Sequence, residues 1–337
     1  MEALIVDQYG SFVGKKSERI RVTRKGETQA EVPLINLEQV VLSGKGISIS
    51  CSAIRACVER GIPVQMLAFN GKPYARLVSP HLVGTVRTRR EQLLAYNDER
   101  GIDLAKAFAV GKLSNQATLL KYTAKYRKTK DRHLYLETWD AAREIEALRE
   151  QIRALEDEML DELRPHLMNR EGRAADIYWK AMRNLLLVEV DWHKREHRGA
   201  TDPVNSGLNY GYGILYSQVE NAIILAGLDP YAGFIHVDRP GKPSLVLDLI
   251  EEFRQMIVDR TVFGLINKGV KLTIDDEGRL TQKARRTLAE KVLARMETRV
   301  IYQGKKHSLR AIVQSQARLV AAFVRGESAY KPYIARW

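Results

Sequence analysis

The chain has 337 residues, 45% of them apolar and 28% charged, with 54 Lys plus Arg against 41 Asp plus Glu, a formal net charge of +13. That length buries a sizeable core and predicts two domains, while the lack of any apolar run near the roughly 18 residues of a membrane span argues against a helical membrane protein. The basic surplus calls for a polyanionic partner, expected to be nucleic acid in a chain without a membrane-facing amphipathic segment. The opening residues MEALIVDQYG lack the basic start and apolar stretch of a signal peptide, so a cytoplasmic location is expected. Cys51 and Cys57 suggest neither a zinc site nor a disulfide framework and read as buried thiols.

Taken in order, the elements predict an α+β fold: a small β-rich N-terminal domain over residues 1–78, a linker at 79–87, and a larger all-α domain at 88–337. Strands are expected at 4–6, 12–13, 20–22, 30–34, 40–42 and 47–49, a helix at 51–59 ended by Gly61, and a final hairpin at 64–78 around Asn70-Gly71. No titratable cluster marks this first domain, so packing, dimerisation or placement of a partner is its expected role. Pro80 and Gly84 break the pattern in the linker. Thr88 with Glu91 three residues on fits a capping box for the next helix. Residues 104–126 follow as a helix that ends in the basic run Lys125, Arg127, Lys128, Lys130 and Arg132, equally suited to phosphate or to solvent.

Ile145, Leu148, Ile152, Leu155, Met159 and Leu163 predict one long amphipathic helix. Another is expected at 174–190, with Glu171 at its entrance, where a carboxylate suits the helix dipole. Residues 205–226 make a helix closed by Gly227. Residues 275–278 read as a surface turn, 281–299 and 307–325 as the last two helices, and 333–337 as a tail ordered by its aromatics.

The stretch 233–254, GFIHVDRPGKPSLVLDLIEEFR, carries the chemistry. A loop with His236 hands over to a helix in which Val246, Leu249, Ile250, Phe253 and Ile257 form a buried stripe, leaving Asp248, Glu251, Gln255 and Asp259 on another face. Asp248 and Glu251 are neighbours one helical turn apart. Two carboxylates about 5 Å apart repel by roughly 3 kcal/mol at an effective dielectric near 20, so a cation is expected there, either a metal or an arginine. A second pattern, His193-x-x-Glu196-His197, matches a class of zinc metalloproteases. Lys194, Arg195, Arg198 and the helix-breaking Gly199 surround it, and a basic surface run able to touch phosphate is the better reading.

Spacing alone does not join Glu171, His236 and Glu251, but the blocks around them do. Glu171-Gly172-Arg173-Ala174-Ala175 with Tyr178-Trp179, Asp202-Pro203-Val204-Asn205 with Tyr210-Gly211-Tyr212, and Ala226-Gly227-Leu228-Asp229-Pro230 are followed by Gly233-Phe234-Ile235-His236, Asp238-Arg239-Pro240-Gly241-Lys242-Pro243-Ser244 and 247–254. In this order they resemble the Cas-one family, the CRISPR-associated endonuclease and integrase of spacer acquisition in antiviral defence. The resemblance implies that Glu171, His236 and Glu251 are catalytic and bind Mn2+ or Mg2+, with Asp248 an additional ligand or a supporting group. Some relatives carry aspartate at the position of Glu251. An imidazole among hard carboxylates favours manganese.

The resemblance further implies that the 3′ hydroxyl of a captured DNA fragment attacks a phosphodiester at the repeat boundary of a CRISPR array, a transesterification, while water at the same site would give nuclease activity. Histidine can also serve there as a general base. The implied partners are DNA, double-stranded, branched or with single-stranded ends, a second copy of the chain, and the Cas-two protein. Arg173, Lys194, Arg195, Arg198, Arg239, Lys242 and Arg254 lie near the site blocks as phosphate-contact candidates, several of which could equally form structural ion pairs. The competing expectation is a DNA-binding scaffold with a degenerate site.

Overall fold

The strands of the first part have the two faces that their alternating residues require. The computed structural model describes residues 2–68, 71, 73–77, 86–156, 159–197 and 199–336. In chain order come β1 (Glu2–Val6), β2 (Ser11–Lys16), β3 (Arg19–Arg24), β4 (Glu27–Pro33), β5 (Leu37–Ser43), β6 (Ser48–Ile49), α1 (Cys51–Glu59), β7 (Val64–Leu67) and β8 (Pro73–Leu77). One sheet has the order β4-β3-β2-β6, with Val13 opposite Val22. The other runs β1-β5-β7-β8, its first three strands parallel and β8 antiparallel to β7. Val13, Ile20 and Val22 from the first sheet join Leu4, Val6, Val40 and Val64 from the second, with Ala53 and Cys57 of α1, in one apolar cluster. Burial pushes the Cys57 thiol up to about 11, whereas Cys51 is exposed, contrary to expectation, because it opens α1 on the solvent side. Asn70 and residues 79–85 of the expected turn and linker lie outside the described residues.

The second part is built on α2 (Val86–Leu94), α3 (Glu99–Ala124), α4 (Arg132–Arg153), α5 (Leu160–Asn184), α6 (Pro203–Leu225), α7 (Ser244–Ile250), α8 (Arg260–Asn267), α9 (Gln282–Met296) and α10 (Leu309–Val324). It is not all helical. Arg299–Tyr302 (β9) and Lys305–Ser308 (β10) form an antiparallel hairpin that shortens both helices expected there. Gln303 and Gly304 both have positive φ, 49° and 78°, the conformation that a two-residue hairpin turn demands.

Three further expectations are corrected. The long helix through 163 divides between α4 and α5, since one helix from 132 to 184 would extend roughly 80 Å. Two shorter ones instead bury Ile145, Leu148, Ile152 and Leu160, Leu163, Leu167 in the same core as α3. The second of these passes through Pro165 and Gly172, so Glu171 lies mid-helix and not at an entrance. Pro165 is six residues in and removes one intrahelical bond; continuous burial of Leu163, Leu167, Ala174, Tyr178 and Met182 outweighs that loss. Thr88 is inside α2 and buried, its hydroxyl accepting from Arg325 at 2.9 Å, so it caps nothing.

The sheets meet the helices chiefly along α6: Gln65 donates to the Ser217 carbonyl at 3.1 Å, the Ser43 and Tyr210 hydroxyls are 3.5 Å apart, and Arg76 pairs with Glu220 at 3.9 Å. Tyr333 of the aromatic tail is packed in place as expected, while Trp337 lies outside the described residues. Tyr333 stacks on Phe253 with centroids 5.4 Å apart, and the Asn115 amide donates to the Glu252 and Tyr333 carbonyls, both at 2.8 Å, while accepting from the Ala335 N–H. The Glu252 side chain accepts from the Tyr333 N–H at 2.8 Å and bonds the Tyr330 hydroxyl. Burial pushes this carboxyl up to about 8 against the pull of those bonds, so it is neutral at pH 7.

A carboxyl raised from 4.5 to about 8 binds its proton more tightly folded than unfolded. The stability it contributes is full below pH 4.5 and falls as pH rises toward 8, by up to about 1.4 kcal/mol per pH unit. Glu252→Gln keeps the shape and the bonds and should flatten that slope in urea unfolding, whereas an unchanged slope would assign the proton to another group.

Candidate metal centre

Glu171 is half-buried on the inward side of its helix. On α5 the inward stripe runs Leu163, Leu167, Ala174, Tyr178, and Glu171 is four residues after Leu167 on that same face. Its carboxylate meets Lys112, which stands at the middle of α3 in an otherwise apolar and small-residue stretch. The Lys112 ammonium also lies 3.0 Å from Glu251 Oε2. Glu251 follows α7 directly, and Arg254 one turn later pairs with its Oε1 at 2.7 Å. Gly111 permits this approach of α3 to the 244–259 segment, since a Cβ there would meet Glu252 Cγ at 3.0 Å and Pro332 Cβ at 2.9 Å.

The polar face of the segment is buried. Asp248, Glu251, Glu252, Gln255 and Asp259 are all at most 2% exposed, because elements cover every side of this segment and each acid needs its own partners. Burial alone would raise the Glu251 carboxyl; Arg254, Lys112 and His236 outweigh it and hold the group below the ordinary carboxylate range. Lys112 is raised, the two carboxylates outweighing its burial. The cation expected beside the acids is therefore Lys112 together with an arginine.

Asp248 turns away from Glu251. Its Oδ2 accepts the N–H groups of Phe234 at 2.5 Å and Ile235 at 3.1 Å, and its Oδ1 accepts the His236 N–H at 3.0 Å and stands 2.7 Å from His236 Nδ1. One carboxylate thus fixes both the loop and the ring. The loop comes this close because residue 233 is glycine: a Cβ would lie 2.6 Å from Ser244 and 2.8 Å from Asp248 Oδ2. Arg164 of α5 completes the fixing by donating to the Phe234 carbonyl at 3.0 Å. With Nδ1 bound to Asp248, Nε2 is the ring nitrogen left for chemistry, and His236 is close enough for its charge to act on Glu251.

A second buried layer backs the site. The Arg254 guanidinium is 4.9 Å from the Tyr212 ring, and Tyr212 and Tyr178 both bond Asp259, the latter at 2.7 Å. Burial pushes Asp259 up to about 6 despite these bonds. Arg195 lies over the same Tyr212 ring at 5.4 Å and donates to Asn205 and Asn209 at 3.1 and 2.6 Å. Arg195 and Arg254 therefore fill the ion-pair and structural role, not an open phosphate surface. Arg173 and Arg239 are exposed; Lys194 is exposed and 3.7 Å from Glu196. Arg239 and Lys242 line a cleft of about 440 Å3 with Leu93 and Tyr231, and Arg198 lies outside the described residues.

The His193–His197 pattern is not on a helix, and His193 pairs with Asp191 at 3.0 Å, so the metalloprotease geometry is absent. His197 is instead at the rim of the carboxylate site, where partial burial, then Arg195, Arg254 and Lys112, push its imidazole down to about 4. Sequence reasoning missed Lys112, Tyr178, Tyr212 and Asp259. For Lys112 a signal existed: it is the one charged residue of α3 between Lys106 and Lys121.

Among the described residues no three His, Cys, Asp or Glu side chains stand close enough together to share an ion, since Lys112 bridges the two carboxylates. The donor chemistry nevertheless fits a hard divalent cation. Glu251 Oε2 is buried and accepts no hydrogen bond, Glu171 faces the same ammonium, and His236 Nε2 is uncommitted.

Residues 4–293 match the family described as CRISPR associated protein Cas1. The chain is 39% identical to the CRISPR-associated endonuclease Cas1 1 of Archaeoglobus fulgidus, with 99% of each chain aligned. Among solved structures it superposes on a casposase bound to integration product, with a TM-score of 0.83 and 23% identity over 98% of this chain and 93% of that one. It also superposes on a Cas6-RT-Cas1–Cas2 complex, with a TM-score of 0.78 and 20% identity over all of this chain and 36% of that one.

Asp248 predicts its own test. Asp248→Ala orphans three backbone N–H groups and should lower stability in denaturant by about 3 kcal/mol or more. Asp248→Asn should replace the single Nδ1-protonated tautomer of His236 with a mixture in 15N spectra; a single unchanged tautomer would free the ring from this control.

Proposed function

The chain belongs to the CRISPR-associated Cas1 family, and from that membership we propose that it is a divalent-metal-dependent DNA endonuclease and integrase that joins the 3′ ends of captured DNA into a CRISPR array by transesterification. The observation that carries this reading is the meeting of Glu171 and Glu251 on one buried ammonium with His236 beside them, from segments 65 and 15 residues apart in the sequence.

Glu171, Glu251 and His236 Nε2 would hold Mn2+ or Mg2+. Such an ion neutralises charge on the non-bridging oxygens of a phosphodiester and polarises its phosphorus. Asp248 keeps the ring pointed through its Nδ1, a support that metal-binding histidines commonly have, which favours positioning for Asp248 and the donor set for His236. The attacking 3′ oxygen forms a bond to phosphorus as the bond to the departing 3′ oxygen breaks. The number of phosphoester bonds is unchanged, so joining needs no energy source. Arg254, buried between Glu251 and Tyr212, holds the Glu251 carboxylate in place.

DNA would approach along the exposed Arg173, Arg239 and Lys194 and the half-buried Lys242, with the corner after α3, where Lys125 lies 4.2 Å from the Tyr122 ring and 5.1 Å from that of Tyr126. The likeness to a chain found in a Cas6-RT-Cas1–Cas2 complex supports a Cas2 partner for this chain as well. A homodimer through the β-rich part fits the exposure there of Tyr9 at 75% and Ile35 at 90%.

The test is Mn2+-dependent strand transfer on branched DNA. Glu171→Ala, His236→Ala and Glu251→Ala should each lower joining by a factor of about a thousand or more while DNA binding persists; joining at wild-type rates in all three would sink the assignment. Contact with about six to ten phosphates should weaken DNA binding on the order of a thousandfold between 50 and 200 mM salt, and replacing Arg173, Arg239 and Lys242 together by alanine should reduce that slope by about three charges.

A further inference from the structure

We propose that Lys112 is a resident counter-ion of the carboxylate site that an arriving DNA phosphate draws away, so that metal loading and DNA binding are coupled through this one side chain. The inference rests on the metal reading above and adds to it a residue and a direction of regulation.

The geometry has three parts. Lys112 touches both Glu171 and Glu251, with side chains exposed by 12, 15 and 3% respectively, so a single ammonium serves two buried acids. With Arg254 on the other Glu251 oxygen, two cations balance two carboxylates and the site is neutral as it stands. A divalent ion placed against both acids would share that space with a like charge, and repulsion in a buried setting is poorly screened. One cation must leave before the ion can enter.

Lys112 is the one able to leave. Arg254 is held by Glu251 Oε1 at 2.7 Å, lies against the Tyr212 ring, and is a planar group fitted to both. Lys112 is a point charge on a four-carbon stem, bonded to Glu171 and 3.0 Å from Glu251 Oε2, and its ammonium can turn to another anion without giving up a fitted planar contact. The ligand that releases it must be an anion that repays the lost pairing, and a phosphodiester entering for reaction is such an anion. Without DNA the lysine competes with the metal; with DNA it pairs with phosphate and the acids are freed. Linkage then requires that metal tighten DNA binding by the same factor.

Mn2+ binding to the full chain, followed by calorimetry at fixed ionic strength with and without a duplex blocked at its 3′ ends, tests this apart from activity. In the wild type the duplex should tighten Mn2+ binding about tenfold or more. Lys112→Met should bind Mn2+ without DNA about tenfold tighter than the wild type, and the duplex should then add little. Weaker or unchanged Mn2+ binding in that variant overturns the proposal and leaves the metal reading standing; no Mn2+ binding to the wild type in either state removes both. If Lys112→Met and Lys112→Gln do not fold, the wild type decides. Saturating Mg2+ with the blocked duplex should shift the Lys112 side-chain 15N resonance, and an unmoved resonance overturns the proposal.

Discussion

The burial of acids along the segment 244–259 is the constraint on which the rest of the structure depends. A carboxylate removed from water must be paired, bonded or protonated, and Asp248, Glu251, Glu252 and Asp259 are all nearly inaccessible. Each finds a different answer. Asp248 takes three backbone N–H groups and an imidazole, Glu251 two cations, Glu252 a proton with a tyrosine and a backbone N–H, and Asp259 two tyrosine hydroxyls. The effect on proton affinity divides accordingly: Glu251 is held low, while Glu252 and Asp259 are raised to about 8 and about 6.

These answers organise the elements around the segment. Asp248 fixes the loop that carries His236, Glu251 draws in α3 through Lys112 and α5 through the same lysine, Glu252 anchors the C-terminal residues through Tyr330 and Tyr333, and Asp259 ties α5 to α6. The one charged pair open to exchange is at Glu251, where the chemistry is proposed. Stability and function thus draw on the same segment but on different carboxylates, so the site can exchange its cation without loosening the loop or the tail.

The sheets contribute indirectly. Their contacts run to α6, the helix that also presents Tyr212 to Arg254. A partner or second copy seated on the β-rich part would therefore press on the helix that backs the site.

Local patterning was enough to identify the strands, the hairpin at 64–77, the helix 51–59 and most of the later helices, because period-two and period-3.6 burial is written in neighbouring residues. It was enough also for the family, since the blocks that carry the resemblance are contiguous, and for the basic charge. It failed where distant segments overrule a local signal. Pro165 and Asn169 to Gly172 suggest a break, yet the packing of Leu163, Leu167, Ala174 and Tyr178 carries α5 through them and moves Glu171 from a helix entrance to mid-helix on the inward side. The helical wheel separates Asp248 to Asp259 from the apolar stripe but says nothing of their burial, because no wheel can count the elements that cover a face. The pairing of Lys112 belongs to the tertiary structure: 59 residues from Glu171, it becomes a partner only when folding brings α3 against both Glu171 and Glu251.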